Sequence, residues 1–591
     1  MPAARKGPLE GISWEALFSI LLLVLVGVVF SEALWAEFLR WDDDFNISRN
    51  PHLNGLGWKQ LAWIFSVNDY QMRYQPLSWL TWAILKSSFG LDVTVFHGAV
   101  VGFHAANAVL VFYLIRKLLL LARQIPEKEA GIEVPICAAL CAAIWAVHPM
   151  RVETTAWAVE LVFVQPLFFF LASLLAYLKA GAEGETGRSR KWYWASVILF
   201  GISLASYPLA LGGLVVYVAL DAYPLRRLEK KAGPEGHTAI RRVWLEKLPF
   251  LALSIFFGLL NLYARSQQST AFAPAASSLA TFGLGARVMQ AFYIWAYYVW
   301  KPFLPMGLTP LRPELIEFNP WGWPFIGSAV FVVGLTLLLW RARKRWPALG
   351  VAWFCHLAVL VPMLGLTEHP HYAADRYSLL PNIAIAALIG GAALRAWGNL
   401  KLRWLVPAAS GILICLFCIL SIGQLAMWQT NMSFFGALSK QISEDPRLSP
   451  FRLRVTAMLV EEYSRDGKNA ECEAILKRTL SNSKPTGELT AMLGYFLIVN
   501  GKLDEAVTNL TEAVRLEPKL TMAWGNLGKA YQMKGDTEQA VAAFRKALEL
   551  EPNNQGLLRN LITLLNEQGK TQEASKYLQR LDGGAPGAAA P

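Results

Sequence analysis

Eleven stretches of this chain are apolar over lengths close to the thickness of a bilayer, and no other feature limits its fold so strongly. They lie near 14–33, 95–115, 134–148, 157–178, 192–206, 208–223, 248–264, 323–340, 350–366, 378–397 and 404–426. A crossing helix needs about 20 predominantly apolar residues, so 134–148, 192–206 and 208–223 are short for the task and their ends are the least defined. Composition agrees with a polytopic membrane protein. Of 591 residues, 54% are hydrophobic and 17% charged, the mean hydropathy is +0.35, and 23 tryptophans suit membrane interfaces.

Charge sets the expected topology. Two further apolar segments, 76–89 and 288–304, are interrupted by Lys86 or rich in tyrosine and tryptophan, and we read them as interfacial. With both kept out of the count, Arg116/Lys117/Arg123, Arg188/Arg190/Lys191, Arg226/Arg227/Lys230/Lys231, Arg341/Arg343/Lys344/Arg345 and Arg395/Lys401/Arg403 all fall on one side. Basic loops stay in the cytoplasm, which puts residues 1–13 inside and the C-terminus outside. The run 14–33 lacks a small-residue cleavage site and is expected to be the first span, not a removed signal. The net charge of +12 therefore belongs to membrane loops, with no nucleic acid as partner. Cys137, Cys141, Cys355, Cys415 and Cys418 lie in apolar segments and Cys472 stands alone, so no disulfide framework is expected.

After Trp428 the pattern changes. Gly467, Gly501, Gly535 and Gly569 recur every 34 residues, as do Ala506, Ala540 and Ala574, with Cys472 in the same small position one unit earlier. Within one unit Trp524, Leu527, Gly528, Tyr531, Ala540, Phe544, Ala547 and Pro552 complete the tetratricopeptide (TPR) pattern of paired helices. The expected organisation is an all-α chain. A transmembrane domain over 14–427, with an outer loop at 34–94, leads through a connector at 428–451 to a TPR solenoid over 452–582 and a disordered tail at 583–591.

On this topology the conspicuous polar motifs share the outer side: "WDDDFNISRNP" with Asp42, Asp43 and Asp44, "HPMRVE" with His148, Arg151 and Glu153, "SYP" at 206–208, and "EHPHYAADRY" with Asp375, Arg376 and Tyr377. Structural readings exist for each. The aspartates suit a solvated turn, His148 a helix end, Glu153–Arg151 and Asp375–Arg376 local ion pairs, and His97 and His104 hydrogen-bonded packing. Trp41, Trp79 and Trp82 suit interface anchors. His369 and His371, or Asp42 with Asp44, are the residues that a divalent metal would use, although two histidines so spaced in an outer loop more often make local hydrogen bonds.

Taken in order, "WDDDFNISRNP", "PLSWLTW", "HAAN", "HPMRVETTAW", "LDAYPLRR", "ADRYSLLP" and "MWQTNMSFF" resemble the transmembrane and tetratricopeptide repeat-containing O-mannosyltransferases and their bacterial relatives, over nearly the whole chain. The resemblance implies a GT-C-like membrane fold and transfer of a mannose-like sugar from a polyprenyl-phosphate carrier to a protein hydroxyl, with the acceptor protein or peptide on the TPR solenoid. It also implies that the acidic pair in the first outer loop, Asp42 or Asp43, is the catalytic base. The other polar residues, Asp44, His148, Arg151, Glu153, Asp375, Arg376 and Tyr377, would then bind substrate, with Arg151 and Arg376 suited to the lipid phosphate because guanidinium binds its oxygens bidentately. Two departures stand out. Leu161-Val162-Phe163 replace an arginine and aspartate cluster, and Tyr207 replaces a lysine. They support a second reading, a membrane-anchored repeat scaffold whose transfer site has decayed.

Overall fold

A computed structural model describes residues 12–67, 73–182, 187–229, 234–266, 282–316, 318–366, 371, 373–445, 448 and 451–583. Among them there are helices and turns but no strand. His369 and most of the tail at 583–591 lie outside the described residues. Contacts divide the chain into two units, Met1–Phe434 and Phe435–Pro591.

In the first unit the helices are α1 (Trp14–Val29), α2 (Trp58–Phe65), α3 (Pro76–Phe89), α4 (Val93–Arg123), α5 (Glu133–Ala146), α6 (Val152–Ala156), α7 (Leu161–Ala182), α8 (Gly187–Ser206), α9 (Gly213–Ala222), α10 (Pro234–Leu245), α11 (Leu248–Ser266), α12 (Leu284–Trp300), α13 (Trp323–Arg341), α14 (Pro347–Leu360), α15 (Pro381–Trp397) and α16 (Leu405–Leu425). A helix stands at every one of the eleven apolar stretches. Five of these runs, Val93–Arg123, Ala158–Ala182, Thr238–Ser266, Trp323–Arg341 and Leu405–Trp428, are long and apolar enough to cross a membrane unaided. The chain is a membrane protein on that ground. The others are shorter or interrupted, and the most informative interruption separates α5 from α6. His148 precedes Pro149 and is held extended (φ −62°, ψ 136°), because a residue before proline is excluded from helical geometry. The two pieces meet at 59°.

Helix α7 is the hub. Its apolar window is 78% buried, against 17% for α13 and α16, whose outward faces carry bare leucine, isoleucine and valine side chains as lipid-facing helices do. Several polar groups inside this unit are tied to backbone. On one face of α4, His104 Nε2 lies 2.9 Å from the Ala146 carbonyl and Asn107 donates to the Val164 carbonyl at 2.8 Å. Trp79 and Trp82 are fully buried and pack edge-to-face against each other, with Trp63 on Trp79. This corrects their expected role as interface anchors, since that role requires exposure to headgroups.

The second unit pairs α18 (Arg452–Arg465) with α19 (Asn469–Ser481), α20 (Gly487–Val499) with α21 (Leu503–Leu516), α22 (Thr521–Lys534) with α23 (Thr537–Leu550), and α24 (Gln555–Glu567) with α25 (Thr571–Gly583). Helix α17 (Asn431–Glu444) precedes these pairs in the chain. The 34-residue glycine period has a backbone cause. Gly467, Gly501, Gly535 and Gly569 all sit at positive φ, between 71° and 83°, where a side chain is strained, and each ends the first helix of a pair. Gly528 marks a second requirement: a Cβ there would stand 2.9 Å from the Phe544 ring, so only glycine lets the paired helices close at that level. Cys472, Ala506, Ala540 and Ala574 are buried at the small positions between helices.

Candidate functional site

The acidic stretch folds as a self-bonded loop after α1. Leu39 N–H donates to Asp43 Oδ2 and Val159 N–H to Asp43 Oδ1, both at 2.8 Å, so Asp43 bridges the loop to the segment between α6 and α7. It is fully buried. Burial pushes its carboxyl well above the usual carboxylate range; the two N–H bonds oppose that rise, and neighbouring Asp42 and Asp44 add to it. The next turn is a short π-helix (Asp44–Ser48). Asn46 and Asn50 lace it internally through the carbonyls of Asp42 and Asn46. From α3, Lys86 Nζ donates to the carbonyls of Ile47, Ser48 and Asn50 at 3.0–3.2 Å. The lysine that interrupts an apolar segment is thus a clamp on this loop. Asn431 holds the other end, accepting from Arg40 N–H at 2.8 Å and donating to Glu37 at 2.9 Å.

Asp42 is half-buried and lies within electrostatic reach of Glu160 and Arg376. Around it stands a cluster drawn from three segments. The Arg376 guanidinium pairs with Glu153, and the same nitrogen approaches Glu160 Oε1 at 3.4 Å; the Arg376 backbone N–H also donates to Glu153 at 3.1 Å. Rings of Trp157, Phe163 and Tyr377 surround the guanidinium at 5.5–5.7 Å. Two buried glutamates therefore share one arginine roofed by aromatic faces, with Asp42 within electrostatic reach of the group. Aromatic faces and carboxylates together are a suitable lining for a hydroxylated ligand.

The remaining candidates take other places. Asp375 pairs with Arg312, and Arg151 donates from Nη2 to Ser378 Oγ at 3.0 Å, so neither the Asp375–Arg376 pair nor the Glu153–Arg151 pair forms. The reason is the tight turn at Asp375–Ser378, which points its successive side chains to different partners. Both ring nitrogens of His148 are engaged: Nδ1 accepts from Met150 N–H at 3.2 Å and Nε2 lies 2.8 Å from the Pro302 carbonyl. Asp44 sits at the π-turn, 4.0 Å from Arg49. Tyr377 is buried and stacks on His371, whose Nε2 lies 3.1 Å from the Met363 carbonyl. Among the described residues no group of three or more histidine, cysteine, aspartate or glutamate side chains is placed to hold a metal ion.

Sequence reasoning missed Glu160, Lys86, Asn431 and Arg312. Glu160 had a usable signal, a carboxylate at the head of an otherwise apolar span, which is costly unless paired. The others reach their partners across 36 to 394 residues, and no local pattern announces that.

Residues 522–554 match the tetratricopeptide repeat family. The chain is similar to the human Protein O-mannosyl-transferase TMTC2, 24% identical over 444 residues, 70% of this chain and 49% of that protein. That match is longer than the repeat unit and so runs into the membrane unit. The mouse Protein O-mannosyl-transferase TMTC1 is 31% identical over 134 residues, 22% of this chain and 14% of that one. The chloroplastic tetratricopeptide repeat domain-containing protein PYG7 of Arabidopsis thaliana is 39% identical over 62 residues, 10% and 21% of the respective chains. The chain thus spans about half the length of the human relative and less of the other two.

Proposed function

We propose that the protein is a membrane glycosyltransferase that moves a sugar from a polyprenyl-phosphate carrier to a protein hydroxyl, with the repeats recruiting the acceptor on the extracytoplasmic side. The observation that carries this reading is the pairing of Glu153 and Glu160 with Arg376 beneath an aromatic roof, within electrostatic reach of Asp42, in a chain whose similarity to a protein O-mannosyl-transferase extends beyond the repeats. Displacement at an anomeric carbon requires a carboxylate to take the acceptor proton. Asp42 suits that role better than Asp43, because both oxygens of Asp43 are already spent on backbone N–H groups. Asp43 then positions the loop. Arg376, fixed by Glu153 and Glu160, orients the site rather than meeting phosphate directly. The repeats suit recruitment because a solenoid presents an extended concave surface.

A second reading rests on Phe163 and Tyr207. At these places the resemblance implies charged groups, yet the two rings pack 4.8 Å apart and the Arg73 guanidinium lies against Tyr207. A decayed site in a membrane-anchored scaffold would tolerate that exchange. Transfer from a radiolabelled polyprenyl-phosphate sugar to membrane protein, compared between wild type and Asp42→Asn, decides between the two. Label that is incorporated by the wild type and lost in the variant supports the transferase. Equal labelling, or none from any sugar tried, supports the scaffold.

A further inference from the structure

One hairpin of the membrane unit is fastened along its length to the segment that delivers Arg376. Its first limb is α12, which runs beside α13 in the same direction. A Cβ on Gly285 would lie 3.6 Å from the Trp321 ring, the rings of Tyr293 and Phe325 are 4.9 Å apart, and Ala296 packs with Val332 and Leu339. Two successive helices that run the same way need a link that travels back along the first, and residues 301–318 are that link. Lys301 Nζ closes the bend on the Met306 carbonyl at 2.6 Å, the Arg312 guanidinium lies 5.3 Å over the Tyr297 ring, and Phe318 reaches Phe282, ahead of α12. Both limbs bond the segment beside them. Gln290 Nε2 donates to the carbonyls of Leu364 and Gly365 at 2.8 and 3.0 Å, Arg287 to that of Leu366, and the Tyr298 hydroxyl to that of Ala374 at 2.5 Å. His371 N–H donates to the Leu315 carbonyl at 3.4 Å, and Arg312 pairs with Asp375.

The other bonds end on carbonyls and hold backbone, whereas Arg312–Asp375 also neutralises a charge. Both side chains are buried. Asp375 lies within electrostatic reach of Arg151 and Glu153 and precedes Arg376 directly. Without Arg312 it would be a buried carboxylate with no cation of its own, a state costly enough to be relieved by whichever cation is nearest. Two are at hand. Arg151 has Nε and Nη1 buried without a hydrogen-bond partner, and Arg376 is the next residue. Either capture pulls on the Asp375–Ser378 turn, from which Arg376 reaches Glu153 and Glu160 while Ser378 holds Arg151. We propose that Arg312 is a positioning residue of the candidate site: carried in by the α12 hairpin, it takes up the charge of Asp375, so that Arg376 stays with Glu153 and Glu160. What this positioning serves rests on the transferase reading; the pairing itself does not.

The full chain in detergent tests this through double-mutant cycles read as melting temperatures. Glu153→Gln, Arg376→Gln and their combination are compared in the wild type, in Arg312→Met, and in Arg312→Met with Asp375→Asn. In the wild type the two changes should be strongly non-additive, as contacting charges are. Arg312→Met should remove about half of that coupling or more, and adding Asp375→Asn should restore it, because no stray carboxylate is left. Arg312→Lys, which keeps the charge, should keep the coupling. A role confined to stability predicts equal coupling in every background, and that result overturns the proposal. If Arg312→Met does not fold, Asp375→Asn alone decides. It breaks the same buried pair but leaves nothing to draw Arg376 away, so a loss of coupling there overturns the proposal as well. Sugar transfer is scored separately. Arg312→Met should lower it on the order of tenfold to a hundredfold, the scale of a misplaced site group, and adding Asp375→Asn should recover most of that loss. Gln290→Leu, which removes two carbonyl bonds of the same hairpin and frees no charge, should lower the melting temperature without a comparable loss of transfer. Transfer that survives Arg312→Met at the wild-type rate sinks the positioning and spares the transferase. Coupling that follows Arg312 in a protein with no transfer at all does the reverse.

Discussion

In the repeat unit, the surroundings of a residue follow from its place in a 34-residue period; in the membrane unit they follow from what distant segments bring to it. Gly535 has the same positive φ as Gly467, Gly501 and Gly569 because the same turn recurs. Glu160 has no such sibling. Its environment is made by Arg376, more than two hundred positions away, and by a loop that precedes it by more than a hundred. The repeat unit spreads its stability over many equivalent contacts. The membrane unit gathers buried charge into a few clusters, where removal of a single member leaves others buried and unpaired.

The largest expected effect tests that concentration. Asp42→Asn should lower sugar transfer by ~10²–10⁴-fold, the usual contribution of a general base, with little change in thermal stability because Asp42 is half-buried. Asp43→Asn should act chiefly on stability, since an amide can accept only one of the two N–H bonds that Asp43 accepts. Transfer rates and melting curves of the two variants, taken together, check the division of labour. A reversed outcome would make Asp43 the reacting group.

Arg376→Gln comes next. It strands Glu153 and Glu160 without their cation, a loss of ~3–5 kcal/mol for a broken buried pair. The triple change Glu153→Gln, Glu160→Gln, Arg376→Met should recover most of that stability but no transfer. Thermal unfolding in detergent measures both. A single variant that melts like the wild type would mean that the cluster is solvated, and the contrast between the two units would then weaken.

This contrast also explains what was legible in the sequence. The helices, the apolar stretches and the repeats are local or periodic properties, visible in 20-residue runs and in Gly467 to Gly569. Asp42 and Arg376 were visible as candidates because polar residues are scarce in such a chain. Their partnerships were not visible. Arg376 looked set to pair with adjacent Asp375, and Arg151 with Glu153, because sequence separation is the only distance a sequence offers. The Asp375–Ser378 turn exchanges those partners. Lys86 looked like an interruption in an apolar segment, whereas it caps three carbonyls of the acid loop.

A smaller effect sharpens the periodic side. Gly535→Ala places a Cβ on a residue with φ of 83° and should cost ~1–2 kcal/mol. Because solenoid repeats contact mainly their neighbours, the loss should appear locally. Amide exchange in α22 and α23 should accelerate while exchange in α18 and α19 stays as it was. Uniform acceleration through all eight helices would show that the repeats unfold as one block.

The smallest expected effect is a pH dependence in the repeat unit. Burial by itself would raise the carboxyl of Glu473, but hydrogen bonds from Lys502, Lys477 and Asn500 outweigh it and bring it down to about 2 from an ordinary 4.5. These contacts measure 2.7 Å to Lys502, 2.9 Å to Lys477 and 2.8 Å to Asn500. They tie α19 to the turn that follows α20. A carboxyl depressed in the folded state stabilises it wherever the unfolded carboxyl is already ionised, above pH about 4.5. That contribution falls as the pH drops and is gone below about 2, because protonation then favours neither state. Repeat-unit stability should therefore decline with acidification across that window, and Glu473→Gln should flatten this part of the profile while lowering stability at neutral pH. Guanidinium titrations of the full chain at several acidic pH values, followed through the exchange of α19 and α20 amides, give the slope directly. A Gln variant with the wild-type acid slope would assign the decline to other carboxylates and leave Glu473 as one solvated charge among many.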